Sequence, residues 1–184
     1  MRPFLAILFL TIGSFLTLAI LGPDIISFQR HIQIDASQHR VFDEFKYLGN
    51  FNNWSPWAIL DPQMSSSVKG VDAAVGATYT WEGNDQVGAG TMTIEQIQPD
   101  SIVLLQLHFV KPWPIEGHYK LSVDSLPADS SNLTWHFEVE IPFYQRPIMY
   151  FVDLEKSLSK DLETGLGNLR KNCETKKSKK NQVN

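Results

Sequence analysis

The amino-acid sequence predicts an α+β domain in which a meander of antiparallel strands packs against one long C-terminal helix, preceded by a separate apolar N-terminal helix. Three observations support this prediction. Residues 4–21 contain no charged side chain, much of residues 26–141 alternates apolar with polar residues, and residues 147–173 repeat apolar residues at steps of three or four. A period of two is typical of strands with one buried face, and the longer period is typical of an amphipathic helix.

The N-terminal segment, residues 1–23, is predicted to be a membrane anchor. Phe4 to Leu21 carry no charge, and at about 1.5 Å per residue a helix of that length reaches about 27 Å, close to the thickness of the hydrocarbon layer. Removal as a signal peptide is the alternative, although the A-x-A pattern is poorly matched. Arg2 precedes the segment and Asp24 follows it. The positive-inside rule therefore predicts a single-pass protein of the plasma (inner) membrane, with a cytoplasmic N-terminus and an extracytoplasmic domain.

The predicted domain, residues 24–174, begins with a strand and a short helix. Apolar residues take alternate positions in the strand: Ile26, Phe28, Ile32 and Ile34. Arg30 falls in the same inward row, and a salt bridge near the sheet edge is its expected role. Ser37 offers an N-cap for a helix that runs to about residue 47. Residues 50–56 then indicate a turn with at most one further helical turn.

The middle of the chain is predicted to form strands joined by turns. Apolar residues take every second position in residues 77–81, 103–109, 115–123 and 133–141. Gly-Asn-Asp, Pro-Asp and Lys-Pro-Trp-Pro sequences separate the strands and are typical of turns. Each strand therefore has one apolar face, which favours an antiparallel meander.

The last predicted element is a helix of about 27 residues that starts at Pro147 and carries an apolar stripe to Cys173. This stripe is expected to cover the open face of the sheet. Gly165 and Gly167 cost stability inside a helix, so both are expected to allow close approach to the sheet. Residues 175–184 include four lysines and are predicted to form a basic disordered tail.

Composition argues against several classes of function. The formal net charge is −4, and an acidic domain without a basic face gives no support to nucleic-acid binding. The single cysteine rules out an internal disulfide and a cysteine-based metal cluster. Strand alternation directs four of the five histidines outward, and no histidine or carboxylate spacing typical of a metal site occurs. P-loop, Rossmann and nucleophile-elbow sequences are also missing, so neither a metal nor a cofactor is predicted.

The inward rows of the strands are rich in rings and poor in charge, as ligand pockets are. Because a curved sheet cannot contact a straight helix along its whole length, we expect a gap lined by these residues. The predicted ligand-binding residues are Trp54, Trp57, Tyr79, Trp81, Met92, Leu107, Phe109, Tyr119, Trp135, Phe137, Phe151 and Leu158. The alternative is that the same residues pack a solid core.

Five stretches of the sequence carry a resemblance to a known family. They are IQIDASQHRVFDEF, NFNNWSPWAILDP, VGATYTWEGNDQVGAGTMTI, LTWHFEVEIP and DLEKSLSKDLETGLGNLRK. In this order they resemble the SRPBCC superfamily, also called START-like or helix-grip proteins, and within it the polyketide cyclase/dehydrase-like group. The resemblance implies a helix-grip fold, in which a curved sheet of about seven antiparallel strands wraps around the long C-terminal helix and leaves an apolar cavity. It implies less about activity, because the superfamily contains lipid carriers, hormone and ubiquinone binders, cyclases and co-chaperones.

From these observations we expect a membrane-tethered domain that binds a hydrophobic small molecule or lipid in an apolar cavity. Two alternatives stay open. One is a polyketide cyclase/dehydratase-like enzyme that uses the same cavity, with Tyr79, Tyr119 or Glu82 as proton donor or acceptor. The other is a structural or co-chaperone-like module without an open cavity.

Overall fold

The computed structural model describes the backbone of residues 2–181 and the side chains of residues 3–175. The helices are α1 (Arg2–Leu21), α2 (Gln38–Lys46), α3 (Trp57–Leu60) and α4 (Leu154–Asn181), with 3₁₀ helices at Leu48–Asn53 and Arg146–Tyr150. The strands are β1 (Ile25–Ile34), β2 (Ser65–Lys69), β3 (Thr78–Glu82), β4 (Ala89–Gln98), β5 (Ile102–Lys111), β6 (Ile115–Leu126) and β7 (Ser130–Glu140).

The seven strands form one antiparallel sheet in the order β1-β7-β6-β5-β4-β3-β2. The sheet curves around α4, so the α+β class and the helix-grip fold are confirmed. Strand β2 is missing from the sequence prediction because its first three residues are serines, without the apolar alternation that marks the other strands. It forms an edge strand by pairing its backbone with β3.

Trp135 on β7 packs against α4. Its side chain is fully buried. A Cβ atom added at Gly165 of α4 would lie 2.8 Å from Trp135 Cζ3, closer than packed atoms tolerate. The predicted close approach is therefore confirmed at Gly165. It is wrong for Gly167, where an added Cβ would meet no atom within 4 Å.

Arg30 ties the outer edge of the sheet to α4. It lies opposite Trp135 in the β1–β7 register, and directly opposed residues share one face of a sheet. Its guanidinium contacts Glu155 at 3.2 Å and Glu163 at 3.3 Å, and donates a hydrogen bond to Ser159. The predicted salt bridge is thus present, and it spans two turns of the helix.

The start of the C-terminal helix differs from the prediction. Pro147 is the second residue of a short 3₁₀ helix, and α4 begins only at Leu154. Asp153 explains the second start, because its Oδ1 accepts a hydrogen bond from the backbone N–H of Lys156 at 2.9 Å, as an N-cap does. At the other end α4 continues to Asn181, through seven residues of the predicted disordered tail. Residues 182–184 lie outside the described range.

The N-terminal helix α1 stands apart from the domain along most of its length. Residues 3–21 are long and apolar enough to cross a membrane, a property that signal sequences share. Only the last turn meets the domain, where Ala19 is fully buried and Gly22 packs against Arg146. The apolar surface of α1 is otherwise exposed.

Exchange of Gly165 for alanine tests the close contact with Trp135. The added methyl group must displace the Trp135 ring, so we expect Gly165→Ala to lower the free energy of unfolding by about 1–3 kcal/mol. The matched control is Gly167→Ala, which adds a methyl group in open space and should raise stability by up to about 1 kcal/mol through helix propensity. Urea unfolding of both variants measures the difference, and equal effects would contradict the proposed role of Gly165.

Candidate ligand-binding cavity

A cavity of about 240 Å³ lies between the sheet and the first two turns of α4. The bend before β2, strands β3 to β7 and α4 all contribute to its wall. Its lining residues are Phe51, Trp57, Met64, Tyr79, Trp81, Gln86, Val87, Met92, Leu107, Phe109, Lys111, Pro112, Trp113, Ile115, Tyr119, Phe137, Val139, Leu154 and Leu158. The space between helix and sheet is therefore open and predominantly apolar, as the sequence predicts.

Seven of the lining side chains form a continuous aromatic belt. In contact order they are Phe109, Trp81, Tyr79, Phe51, Trp57, Tyr119 and Phe137, with neighbouring ring centroids 5.3–6.4 Å apart. Trp57 and Tyr119 are nearly parallel, at an interplanar angle of 8°. Rings at these distances support one another, so the belt keeps its shape without filling the space it encloses.

Gly90 makes room for one ring of the belt. It lies opposite Trp81 in the β3–β4 register. A Cβ atom at Gly90 would lie 2.7 Å from Cη2 of Trp81. The lack of a side chain at this position therefore lets the indole lie across the neighbouring strand, on the wall of the cavity.

Nine of the twelve predicted ligand-binding residues line the cavity. They are Trp57, Tyr79, Trp81, Met92, Leu107, Phe109, Tyr119, Phe137 and Leu158. Trp54 and Trp135 do not line it, because they pack edge to face against each other in the core, with ring centroids 5.3 Å apart. Phe151 points to the exterior and is 86% exposed, because it precedes α4 instead of belonging to it. Ligand contact by the nine remains a prediction.

The bend between α2 and β2 explains why its two tryptophans differ. Side-chain amides of α4 hold its backbone: Asn168 donates to the carbonyl of Trp54 and Asn172 to that of Asn53, both at 3.3 Å. This attachment buries Trp54 next to the helix. Trp57 begins α3 and turns its ring toward Tyr119 and the cavity.

Sequence reasoning missed ten lining residues: Phe51, Met64, Gln86, Val87, Lys111, Pro112, Trp113, Ile115, Val139 and Leu154. Ile115 and Val139 belong to the inward rows of β6 and β7, so alternation could have found them. The others lie in the first 3₁₀ helix, in turns, at strand ends or at the start of α4. Their positions depend on how the chain closes the end of the cavity, which no local pattern records.

Two tyrosine hydroxyls of the belt have different environments. Tyr79 donates a hydrogen bond of 2.6 Å to the Asn52 side chain, and burial raises its pKa. Tyr119 is also buried, but its hydroxyl has no hydrogen-bond partner among the described side chains. Burial raises the pKa of Tyr119 far above its usual value, and the negative charge of Asp161 on α4 raises it further. Tyr119 therefore stays protonated and can donate a hydrogen bond.

Glu82, the third candidate for proton transfer, does not line the cavity. Its exposed carboxylate contacts Lys111 Nζ at 2.9 Å, and this hydrogen bond lowers the pKa of Glu82 and raises that of Lys111. The ion pair joins the ends of β3 and β5 near the cavity rim. The five histidines also lie outside the lining. Among the described residues, no group of three or more His, Cys, Asp or Glu side chains is arranged to hold a metal ion.

The raised pKa of Tyr119 predicts a loss of stability at alkaline pH. Above about pH 10 the unfolded chain releases the phenol proton while the folded chain retains it, so stability falls as pH rises. When the pH is raised from about 9 to about 11, the free energy of unfolding falls in both proteins. The fall should be about 1.4 kcal/mol smaller in Tyr119→Phe than in the unmodified protein. Urea titrations at both pH values measure this. Tyr150→Phe, at an exposed tyrosine, is the control, and identical losses in all three proteins would contradict the prediction.

Comparisons with known proteins agree with this architecture. Residues 26–174 match the model of a family described as polyketide cyclase / dehydrase and lipid transport. A search of curated proteins finds no match.

Several solved structures share the fold. A protein from Chromobacterium violaceum has a TM-score of 0.58 at 15% identity and covers 80% of this chain and 96% of its own. The norcoclaurine synthase of Thalictrum flavum, solved with dopamine and hydroxybenzaldehyde, has a TM-score of 0.59 at 10% identity. The match covers 84% of this chain and 89% of the synthase chain. The Aha1 dimer from Colwellia psychrerythraea has a TM-score of 0.57 at 14% identity, and the match covers 80% of this chain and 96% of the Aha1 chain. At these identities the likeness concerns the fold.

Proposed function

We propose that this chain, which belongs to the polyketide cyclase / dehydrase and lipid transport family, binds a small hydrophobic molecule in the cavity between its sheet and α4. The aromatic belt is the observation that carries this proposal. Seven contacting rings surround open space in which few polar groups are present. A ligand that enters it gains roughly 25 cal/mol for each Å² of apolar surface removed from water.

The volume of the cavity limits the size of the ligand. At about 240 Å³ it lies just below the range of about 300–1,000 Å³ that is typical of pockets for drug-sized molecules. We therefore propose a ligand of one or two rings, or a single acyl chain of a lipid. The rigid rings of the aromatic belt favour a flat, apolar shape.

Tyr119 supplies a polar contact for this ligand. Its protonated hydroxyl lies on the belt between Trp57 and Phe137 and has no partner among the described side chains. A carbonyl or hydroxyl oxygen on the ligand would accept its hydrogen bond, which contributes about 0.5–1.5 kcal/mol. The proposed ligand is thus apolar with one oxygen acceptor.

Helix α1 is proposed to tether the domain to the plasma membrane. Its length and apolar composition support a single span, and Arg2 at its start and Asp24 after its end favour a cytoplasmic N-terminus. Tethering would keep the cavity close to the bilayer, where hydrophobic molecules accumulate, and would raise the local concentration of ligand and binding site.

Obstruction of the cavity tests the binding proposal. Leu158→Trp places a larger side chain in the lining and should reduce the space for a ligand. The probe is an uncharged apolar fluorophore such as N-phenyl-1-naphthylamine, with the full-length protein in mild detergent. We expect the variant to bind this fluorophore at least about tenfold more weakly, a loss of about 1.4 kcal/mol in binding free energy. Leu104→Trp, on the outer face of β5, is the matched control and should bind as the unmodified protein does. Fluorescence titration measures both, and equal affinities would show that the dye binds elsewhere.

A cyclase-like activity is the second candidate function, and the environment of Tyr119 favours it. The hydroxyl is buried at the cavity wall, with the Asp161 carboxylate close enough to influence its pKa. Tyr119 would donate a hydrogen bond to a carbonyl oxygen of a bound chain and stabilise the negative charge that develops on this oxygen during reaction. Tyr119→Phe should then lower turnover of a model polyketide chain by about 10²- to 10³-fold, while affinity for the fluorophore changes little. Unchanged turnover in this variant would remove Tyr119 from the mechanism.

A further inference from the structure

An exposed aromatic segment lies where α1 meets the domain. Residues 142–152 contain a single charged residue, Arg146. Six large apolar or aromatic side chains in this segment are exposed: Phe143, Tyr144, Ile148, Tyr150, Phe151 and Val152. Phe151 is the most exposed of them, at 86%. A patch of this kind is unusual on a surface that faces only water.

Close packing fixes the segment to the end of α1. A Cβ atom added at Gly22 would lie 2.8 Å from the Cβ of Arg146 and 3.1 Å from its carbonyl oxygen. Ala19, one turn earlier, is fully buried, whereas the preceding turns of α1 are exposed. The final turn of α1 and the 3₁₀ helix at Arg146–Tyr150 therefore form one unit.

The segment lies beside the end of α1 that would emerge from the hydrocarbon layer. If α1 crosses the hydrocarbon layer, its last turn marks the membrane surface. Phe151 follows Arg146 by five residues, so the depths of the two residues differ by at most roughly 10 Å, the length of five residues at the rise of a 3₁₀ helix. The headgroup layer is roughly 5–8 Å thick on each side of a bilayer. Tyr and Trp side chains are enriched at this depth because one end of each ring is polar and the other apolar.

The rim of the cavity belongs to the same region of the molecule. The side-chain amide of Gln145 donates a hydrogen bond of 3.3 Å to the carbonyl of Pro114. Trp113, the residue before Pro114, is half exposed and lines the cavity. Leu154, three residues after Phe151, lines the cavity from α4. The exposed segment is thus connected directly to the rim.

We infer that residues 142–152 lie in the headgroup layer of the bilayer that α1 crosses, and that the rim of the cavity at Trp113 faces this bilayer. A hydrophobic ligand then passes between lipid and cavity with little exposure to water. The inference rests on the proposed tethering by α1 and adds a second, interfacial contact to it.

Spin labels on the full-length chain in vesicles of phosphatidylcholine and phosphatidylglycerol test the inference. Phe151→Cys reports on the segment, Ile12→Cys on the middle of α1, and Val71→Cys on an exposed loop before β3. The unmodified chain, in which Cys173 is fully buried, gives the background labelling. Power saturation with oxygen, which partitions into lipid, and with a water-soluble nickel complex measures the environment of each label.

We expect the labels at positions 12 and 151 to be accessible to oxygen and protected from nickel, and the label at position 71 to show the reverse. Position 151 should be shallower than position 12. A lipid-exposed label at 12 with a water-exposed label at 151 would overturn the interfacial contact and leave the tether intact. A water-exposed label at 12, or failure of the protein to float with the vesicles, would overturn both.

Discussion

The close contact of Gly165 on α4 with the ring of Trp135 on β7 sets how near the helix lies to the sheet. It brings the middle of α4 onto the sheet, where Leu162, Leu166, Leu169 and Cys173 are fully buried. Toward its N-terminus, Leu158 and Leu154 are only half buried and face the cavity. A straight helix pressed against a curved sheet at one place must leave space elsewhere, and the aromatic belt surrounds that space. The same contact therefore stabilises the core and creates the proposed site.

The proposed function follows from how little of the cavity wall is polar. Tyr119 keeps its proton because burial disfavours the charged form, so it offers a donor without introducing a charge. Glu82 and Lys111 neutralise each other at the rim. Fold relatives include an enzyme solved with two aromatic compounds, but the fold by itself does not select between binding and catalysis. Because apolar groups predominate over polar groups in the lining, the cavity favours binding through burial of apolar surface.

The local sequence pattern predicted most of the fold, because the buried face of most elements appears as apolar residues at the spacing of a strand or a helix. Alternation identified the inward rows of β5, β6 and β7, and the belt residues that they carry. The same signal failed at β2, whose first three residues are serines, and at Pro147, where the helix starts later because the carboxylate of Asp153 caps it. Trp54 and Trp57 are three residues apart and equally aromatic, yet only Trp57 lines the cavity. Their difference arises from long-range hydrogen bonds of Asn168 and Asn172, which no local pattern encodes.

The most direct test of the account is the position of a bound apolar molecule. Anomalous diffraction from crystals of the full-length protein grown with a brominated aromatic compound locates its bromine atom. We expect one bromine position between α4 and the sheet, in van der Waals contact with Tyr119 and Leu158. Side chains that close this space, with bromine found only on the outer surface, would contradict it.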